Sequence, residues 1–151
     1  MTRINSDLNP AYLTDQVLMA EYRELPMVYA ALHRSKVATR DNNLLLKKIP
    51  KTFTLNTGHV TFFYDKLLFL SKRYNRLIDE LENRGYNLDK DRIYSLHSFD
   101  DIFKNDYAMT GDDKKIICAR LIERYESKPT WYKYYGEPIS RETFLLLLEK
   151  A

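Results

Sequence analysis

The stretch GHVTFFYDKLLFLSKRYNRLIDELENRG, residues 58–85, decides the fold. Val60, Phe63, Tyr64, Leu67, Leu70, Tyr74, Leu77, Ile78 and Leu81 recur at three- and four-residue steps. That is the period of a helix with one apolar stripe turned to a core. Gly85 supplies the stop. The spacing predicts a helix from about Gly58 to Arg84, the strongest core helix in the chain.

Upstream, Leu18, Tyr22, Leu25, Tyr29 and Leu32 carry the same period and predict a helix from Thr14 to about Ser35, with Thr14 or Asp15 as its cap. Pro26 lies inside it. It has no N–H for the carbonyl of Tyr22, so a kink is expected two residues after Glu24. Val17, Ala20, Glu21, Glu24, Met27, Val28 and Ala31 fall on a side distinct from the apolar stripe, so the core pattern does not force Glu24 toward water. Residues 36–58 read as irregular, with Lys47, Lys48 and Lys51 in LLLKKIPKTF.

Downstream, residues 86–110 hold Tyr94, Phe99, Ile102, Phe103 and Tyr107 with no clean period. So long a connection is expected to be tied down by aromatic packing. A third helix is predicted from about Asp112 to Ser127, with Asp112 and Asp113 at its positive end and Ile117, Cys118, Leu121, Ile122 and Tyr125 inward. TWYKYYG follows, where burial of Trp131 and one tyrosine is expected. The segment SRETFLLLLEK reads as a fourth, terminal helix. The fold class is therefore all-α: one compact domain of three main helices, long irregular connections and a short C-terminal helix.

Composition agrees with this reading. The chain has 151 residues, 12 Tyr and 7 Phe against only 4 Gly, which suits one aromatic-rich, helix-leaning globule. The formal charge of +3 is a weak argument for an anionic partner. Its distribution is stronger: from 114 to 134 six cations face Glu123 and Glu126, a local +4. Arg120, Arg124 and Lys128 are spaced by four and share a face, and WYKYY follows. Basic faces beside aromatic rings suit a nucleic-acid backbone with unstacked bases. A solvated helix face with an aromatic tail on the core is the competing reading. Cys118 stands alone, so it makes no intrachain disulfide and no zinc cage, and a packing role in a reducing compartment is expected. His33, His59 and His97 have no ligand spacing, and no metal or cofactor is assigned. No segment approaches the roughly 18 apolar residues of a membrane span, and the start has no signal core. A soluble, cytoplasmic protein is expected. Nucleophile-elbow, phosphate-loop, paired-cysteine and dinucleotide fingerprints are absent from the sequence.

The first residues, MTRIN, have a chemical reading. An α-amine has a pKa of about 8 against about 10.4 for lysine, so at neutral pH a few hundred times more of it is the free nucleophile, worth about 3 kcal/mol. Such an amine suits a carbonyl-like carbon, for example C1′ of an opened deoxyribose, through a Schiff base. Methionine is commonly trimmed before a residue as small as threonine, which would expose Thr2. Many chains begin Met-Thr without using it, so this feature alone decides nothing.

Four stretches in order, MTRIN at 1–5, DQVLMAEYRELP at 15–26, GHVTFFYDK at 58–66 and KPTWYKYYG at 128–136, together resemble the phage and algal-virus pyrimidine dimer DNA glycosylases, the endonuclease V of ultraviolet repair. The likeness is weak at 36–54 and 86–115. The resemblance implies a glycosylase-like domain at 1–136 with 137–151 as an extension packed on it. It implies cleavage of the N-glycosidic bond of a cyclobutane dimer and then of the abasic strand, on double-stranded DNA, by a monomer. Carried over by position, the nucleophile is the amine of Thr2 and the catalytic carboxylate is Glu24. Arg3 and Arg23 would line the site and hold phosphates. Arg120 would grip the backbone, and Arg124 stands where the family has a lysine. Trp131, Tyr132 and Lys133 would lie near the damaged duplex. Two positions depart from the family: Val17 replaces a histidine and Met27 an arginine. These changes open a second reading, the same lyase chemistry on another damaged base. A non-catalytic DNA-damage binding module is a third.

Overall fold

The computed structural model describes residues 3–151. Its regular structure is helical apart from one tiny hairpin, the all-α class expected. The first long pattern becomes two helices, α1 (Asp15–Glu24) and α2 (Pro26–Thr39), joined at Leu25. Leu25 keeps helical angles (φ −55°, ψ −43°), and the interruption between the two helices comes from Pro26, which has no N–H for the Tyr22 carbonyl. Thr14 takes the cap position of α1, but its hydroxyl makes no capping bond.

Two expectations need correction. Residues 36–58 are not irregular throughout: α2 runs on to Thr39, and α3 (Asn42–Lys47) follows with the Asp41 carboxylate accepting from the Asn43 amide at 2.9 Å. The helix expected from Gly58 to Arg84 is two, α4 (His59–Phe62) and α5 (Leu67–Asn83). Phe62, Phe63 and Tyr64 explain the break, since all three rings are buried. A continuous helix advances about 100° per residue and would send one of them toward solvent. The turn at 63–66 instead packs Phe62 edge-on to Phe63 (5.0 Å) and Phe63 against Phe69 (6.0 Å). Asn105 closes that turn by donating its amide and its side chain to the Asp65 carbonyl.

The side of α1 and α2 that holds Val17, Glu21 and Val28 is buried as well. Glu21 has no exposed side-chain surface and meets Arg73 of α5, equally buried, at 2.9 Å. Arg73 lies within the stripe of α5, between Leu70 and Leu77. One carboxylate and one guanidinium thus occupy core positions on facing helices.

Residues 86–110 are tied down as expected: Phe99 and Phe103 are buried, and Tyr107 packs on Phe62 and Phe69 at 5.6 and 5.0 Å. Helix α6 (Gly111–Ser127) starts with a reciprocal cap between Thr110 and Asp113. Ile117, Leu121 and Tyr125 face the core, with Cys118 half-buried. TWYKYYG ends in a hairpin, β1 (Lys133–Tyr134) against β2 (Glu137–Pro138). Helix α7 (Arg141–Lys150) buries Phe144 and Leu148, and the Phe144 ring stacks on Tyr125 at 4.5 Å. Among the described residues no helix is long and apolar enough to cross a membrane.

Candidate active site

The N-terminal segment lies between α1 and α4. Two consecutive amides of it donate into buried side chains, Ile4 to His59 Nε2 at 2.9 Å and Asn5 to Glu21 Oε1 at 3.1 Å. The Asn5 side-chain amide donates to Glu21 Oε2 at 2.8 Å. Arg73 holds both oxygens of the same carboxylate, at 2.9 and 3.0 Å, and also donates to the Leu8 carbonyl. Every nitrogen of the Arg73 guanidinium and both oxygens of Glu21 have a hydrogen-bond partner, which is what allows two charges to sit out of water.

Directly before these anchored residues, Arg3 brings its guanidinium 3.9 Å from Glu24 Oε1, at the end of α1. Glu24 is largely sheltered, with 19 % of its side chain exposed. Burial raises its pKa above the usual carboxylate value, and the charges of Arg3 and Arg124 oppose that rise. Burial, Arg3 and Arg120 push the Arg124 pKa down, though a guanidinium stays charged at neutral pH. Glu24 Oε2, Arg3 Nε and Arg124 Nε are buried and have no hydrogen-bond partner among the described residues. Among the described residues, three unpartnered polar atoms thus lie on three side chains that feel one another's charge.

A cavity of about 380 Å³ opens beside them, walled by α1, α6 and the segment after it. Arg3, Arg23 and Arg124 supply its positive edge, with Val17 and Leu121 as apolar wall and Trp131 and Tyr132 as rings. Glu24 is not part of this lining; it adjoins the cavity through Arg3. Trp131 is 60 % exposed, contrary to the expected burial. The hairpin explains its position. Asp15, at the start of α1, accepts from the Tyr135 and Gly136 amides at 3.2 and 2.8 Å and from Arg84 at 2.9 Å. Gln16 accepts from the Lys133 amide at 2.8 Å. With the backbone of 133–136 clamped to α1, the indole projects at the cavity rim.

The structure therefore brings together most of the expected site residues. Arg3, Arg23, Arg124, Trp131 and Tyr132 share one cavity, with Glu24 next to it. Arg120 stands one turn of α6 away, donates to Asn56 Oδ1 at 3.1 Å, and borders a smaller pocket with Arg3, His59 and Arg124. The Lys133 side chain is exposed and outside the cavity lining. Thr2 lies outside the described residues. Of the two departures, Val17 is in the cavity wall, while Met27 is outside that lining and half-exposed.

Sequence reasoning passed over Asn5, Asp15, Gln16, Glu21, Arg73 and His59, which hold this site in shape. A signal existed for one pair. Glu21 falls between Leu18 and Leu25, and Arg73 between Leu70 and Leu77, so opposite charges sit inside two apolar stripes. The local pattern marks Asp15 only as a helix-cap candidate, because its partners are 69 to 121 residues away in sequence. Among the described residues no group of three or more His, Cys, Asp or Glu side chains is placed to hold a metal. A family model described as pyrimidine dimer DNA glycosylase matches residues 1–94.

Proposed function

The chain belongs to the pyrimidine dimer DNA glycosylase family, and from that premise we propose that it cleaves the damaged strand in two steps, using the terminal amine of Thr2, once Met1 is removed, and the carboxylate of Glu24. The observation that carries this reading is Glu24: sheltered, beside Arg3, within the field of Arg124, and with one oxygen that has no hydrogen-bond partner among the described residues.

In the first step the neutral amine attacks C1′ of the damaged nucleotide. The electron pair of the N-glycosidic bond leaves with the base, and the proton that the amine gives up passes to that base. Opening of the sugar then converts the C1′ adduct into a protonated imine. Loss of a C2′ proton and expulsion of the 3′ phosphate complete the β-elimination. Glu24, ionised, stabilises the cationic sugar in the first step and passes protons in the second. Burial raises the pKa of Glu24, the direction that favours proton uptake by a group that passes protons. Arg3 and Arg23 hold phosphates at the cavity edge, while Arg120 and Arg124 grip the backbone along α6. Trp131, Tyr132 and Lys133 lie against the duplex, with the exposed indole available for stacking. The protein acts as a monomer on double-stranded DNA that carries damaged bases or abasic sites.

Val17 in the cavity wall favours one variation, the same lyase chemistry on another damaged base. A valine offers neither charge nor hydrogen bond where the family has a histidine. Borohydride trapping distinguishes the readings when run on duplexes carrying a cyclobutane dimer and, separately, an abasic site. Covalent adducts on both substrates are expected from protein whose intact mass shows the loss of Met1. An adduct on abasic DNA alone establishes the altered base preference. No adduct on either refutes catalysis and leaves a damage-binding module.

A further inference from the structure

Among the three histidines of the chain, His59 alone is buried, at 3 % exposure. It opens α4 directly after Gly58, whose φ is +88°. A side chain on residue 58 would meet strain in that region, and a Cβ there would come 3.1 Å from Pro50. The turn therefore aims His59 inward, between the rings of Phe53 (5.6 Å) and Phe63 (5.5 Å), both edge-on.

Both ring nitrogens are used, and their partners fix the tautomer. Nδ1 lies 2.8 Å from the Thr54 carbonyl, which can only accept, so Nδ1 carries the proton. Nε2 receives the Ile4 amide, which can only donate, so Nε2 presents its lone pair. The ring is thus a neutral imidazole with a directed acceptor. Burial, which lowers the pKa of His59, keeps it neutral.

The acceptor is aimed at the amide two residues after Thr2. Two residues of chain span at most about 7 Å, so the place at which the Ile4 amide is fixed limits the reach of a terminal amine two residues upstream. Glu21 holds the next amide, so the segment is clamped by α4 and α1 at once, and Arg3 emerges from that clamp to meet Glu24. We propose that His59 is a positioning residue: by accepting the Ile4 amide it sets the distance and direction from which the terminal amine approaches C1′. This rests on the amine of Thr2 being the nucleophile.

Single-turnover formation of the borohydride-trapped imine on abasic duplex, measured beside DNA affinity and thermal unfolding, tests it. His59→Phe keeps a flat ring but removes the acceptor, and it should slow imine formation ten- to a hundred-fold, about the effect of a 1 Å misplacement. DNA affinity should stay within about twofold, because His59 contributes no charge to the backbone contacts. His59→Gln, which can return an oxygen to the same amide, should recover most of the rate. Phe53→Leu, which disturbs the same ring cluster, should lower the unfolding temperature and leave the rate near that of wild type.

Equal rates for His59→Phe and wild type would overturn the role, as would equal slowing by Phe53→Leu or no recovery with Gln. If His59→Phe does not fold, the nitrogen–nitrogen coupling across the Ile4 amide and Nε2 in the wild-type nuclear magnetic resonance spectrum decides: its presence supports the bond, its absence refutes it. A wild-type protein that traps no imine refutes the amine chemistry itself, an outcome separate from the failure of His59 alone.

Discussion

Replacing Glu21 with alanine removes the carboxylate at the centre of the N-terminal clamp. In the folded protein Glu21 accepts four hydrogen bonds, two from Asn5 and two from Arg73, with no side-chain exposure of either charged residue. The substitution leaves a guanidinium buried without its counter-charge, which costs about 3–5 kcal/mol. It also strips two donors of Asn5 of their acceptor, at about 1–3 kcal/mol each where no water reaches them. Relaxation prevents these from adding fully, and a total of about 4–6 kcal/mol is the expectation. That is much of the roughly 5–15 kcal/mol that holds a typical domain together.

Equilibrium urea unfolding followed by circular dichroism measures it. The midpoint should fall steeply while the slope stays constant. Pairing the change with Arg73→Met removes the stranded charge, so the double variant should be clearly more stable than Glu21→Ala alone. A single variant that costs under about 1 kcal/mol would refute the claim that this pair is buried and satisfied. So would a double variant whose loss equals the sum of the two singles.

Glu24→Gln, three residues along the same helix, should behave in the opposite way: DNA binding largely intact, strand cleavage lost, and stability at neutral pH equal to or above wild type. The sign follows from the raised pKa of Glu24 in the folded state. A folded carboxylate that holds its proton more tightly than the unfolded one contributes stability below the unfolded value of about 4.3, and that contribution is lost as pH rises through the folded value. Wild type should therefore lose ground to Glu24→Gln as unfolding is measured from acid toward neutral pH, and a widening gap in favour of wild type would contradict the desolvation argument. Arg120→Ala should weaken binding and lower the salt slope of the binding constant by about one, read from DNA titrations across a salt series. Protein with Met1 retained, verified by intact mass, should bind damaged duplex and trap no imine; efficient trapping by that species would exclude the amine of Thr2.

The sequence determined the helical class, because three- and four-residue spacing of apolar side chains reports the period of a helix without reference to any partner. It placed the kink at Pro26, since a missing N–H is a property of one residue. It also supplied the candidates Arg3, Glu24, Arg124 and Trp131, on the strength of the stretches that resemble the family. Tertiary structure decided what holds them. Whether Glu21 or Glu24 is the buried partner of Arg73 depends on how α1 rotates against α5, and two carboxylates three residues apart look alike in a local pattern. Whether Trp131 is core or rim depends on the Asp15 clamp, which joins the two ends of the chain. The break of α4 from α5 came from three adjacent rings that all needed burial, a demand made by the core as a whole. And His59, one histidine of three by composition, took on a directed role only where a turn aimed it at the amide of Ile4. Periodicity and backbone chemistry are local and can be read along the chain. Pairing of buried polar groups is set by which elements meet, and only the folded molecule fixes that.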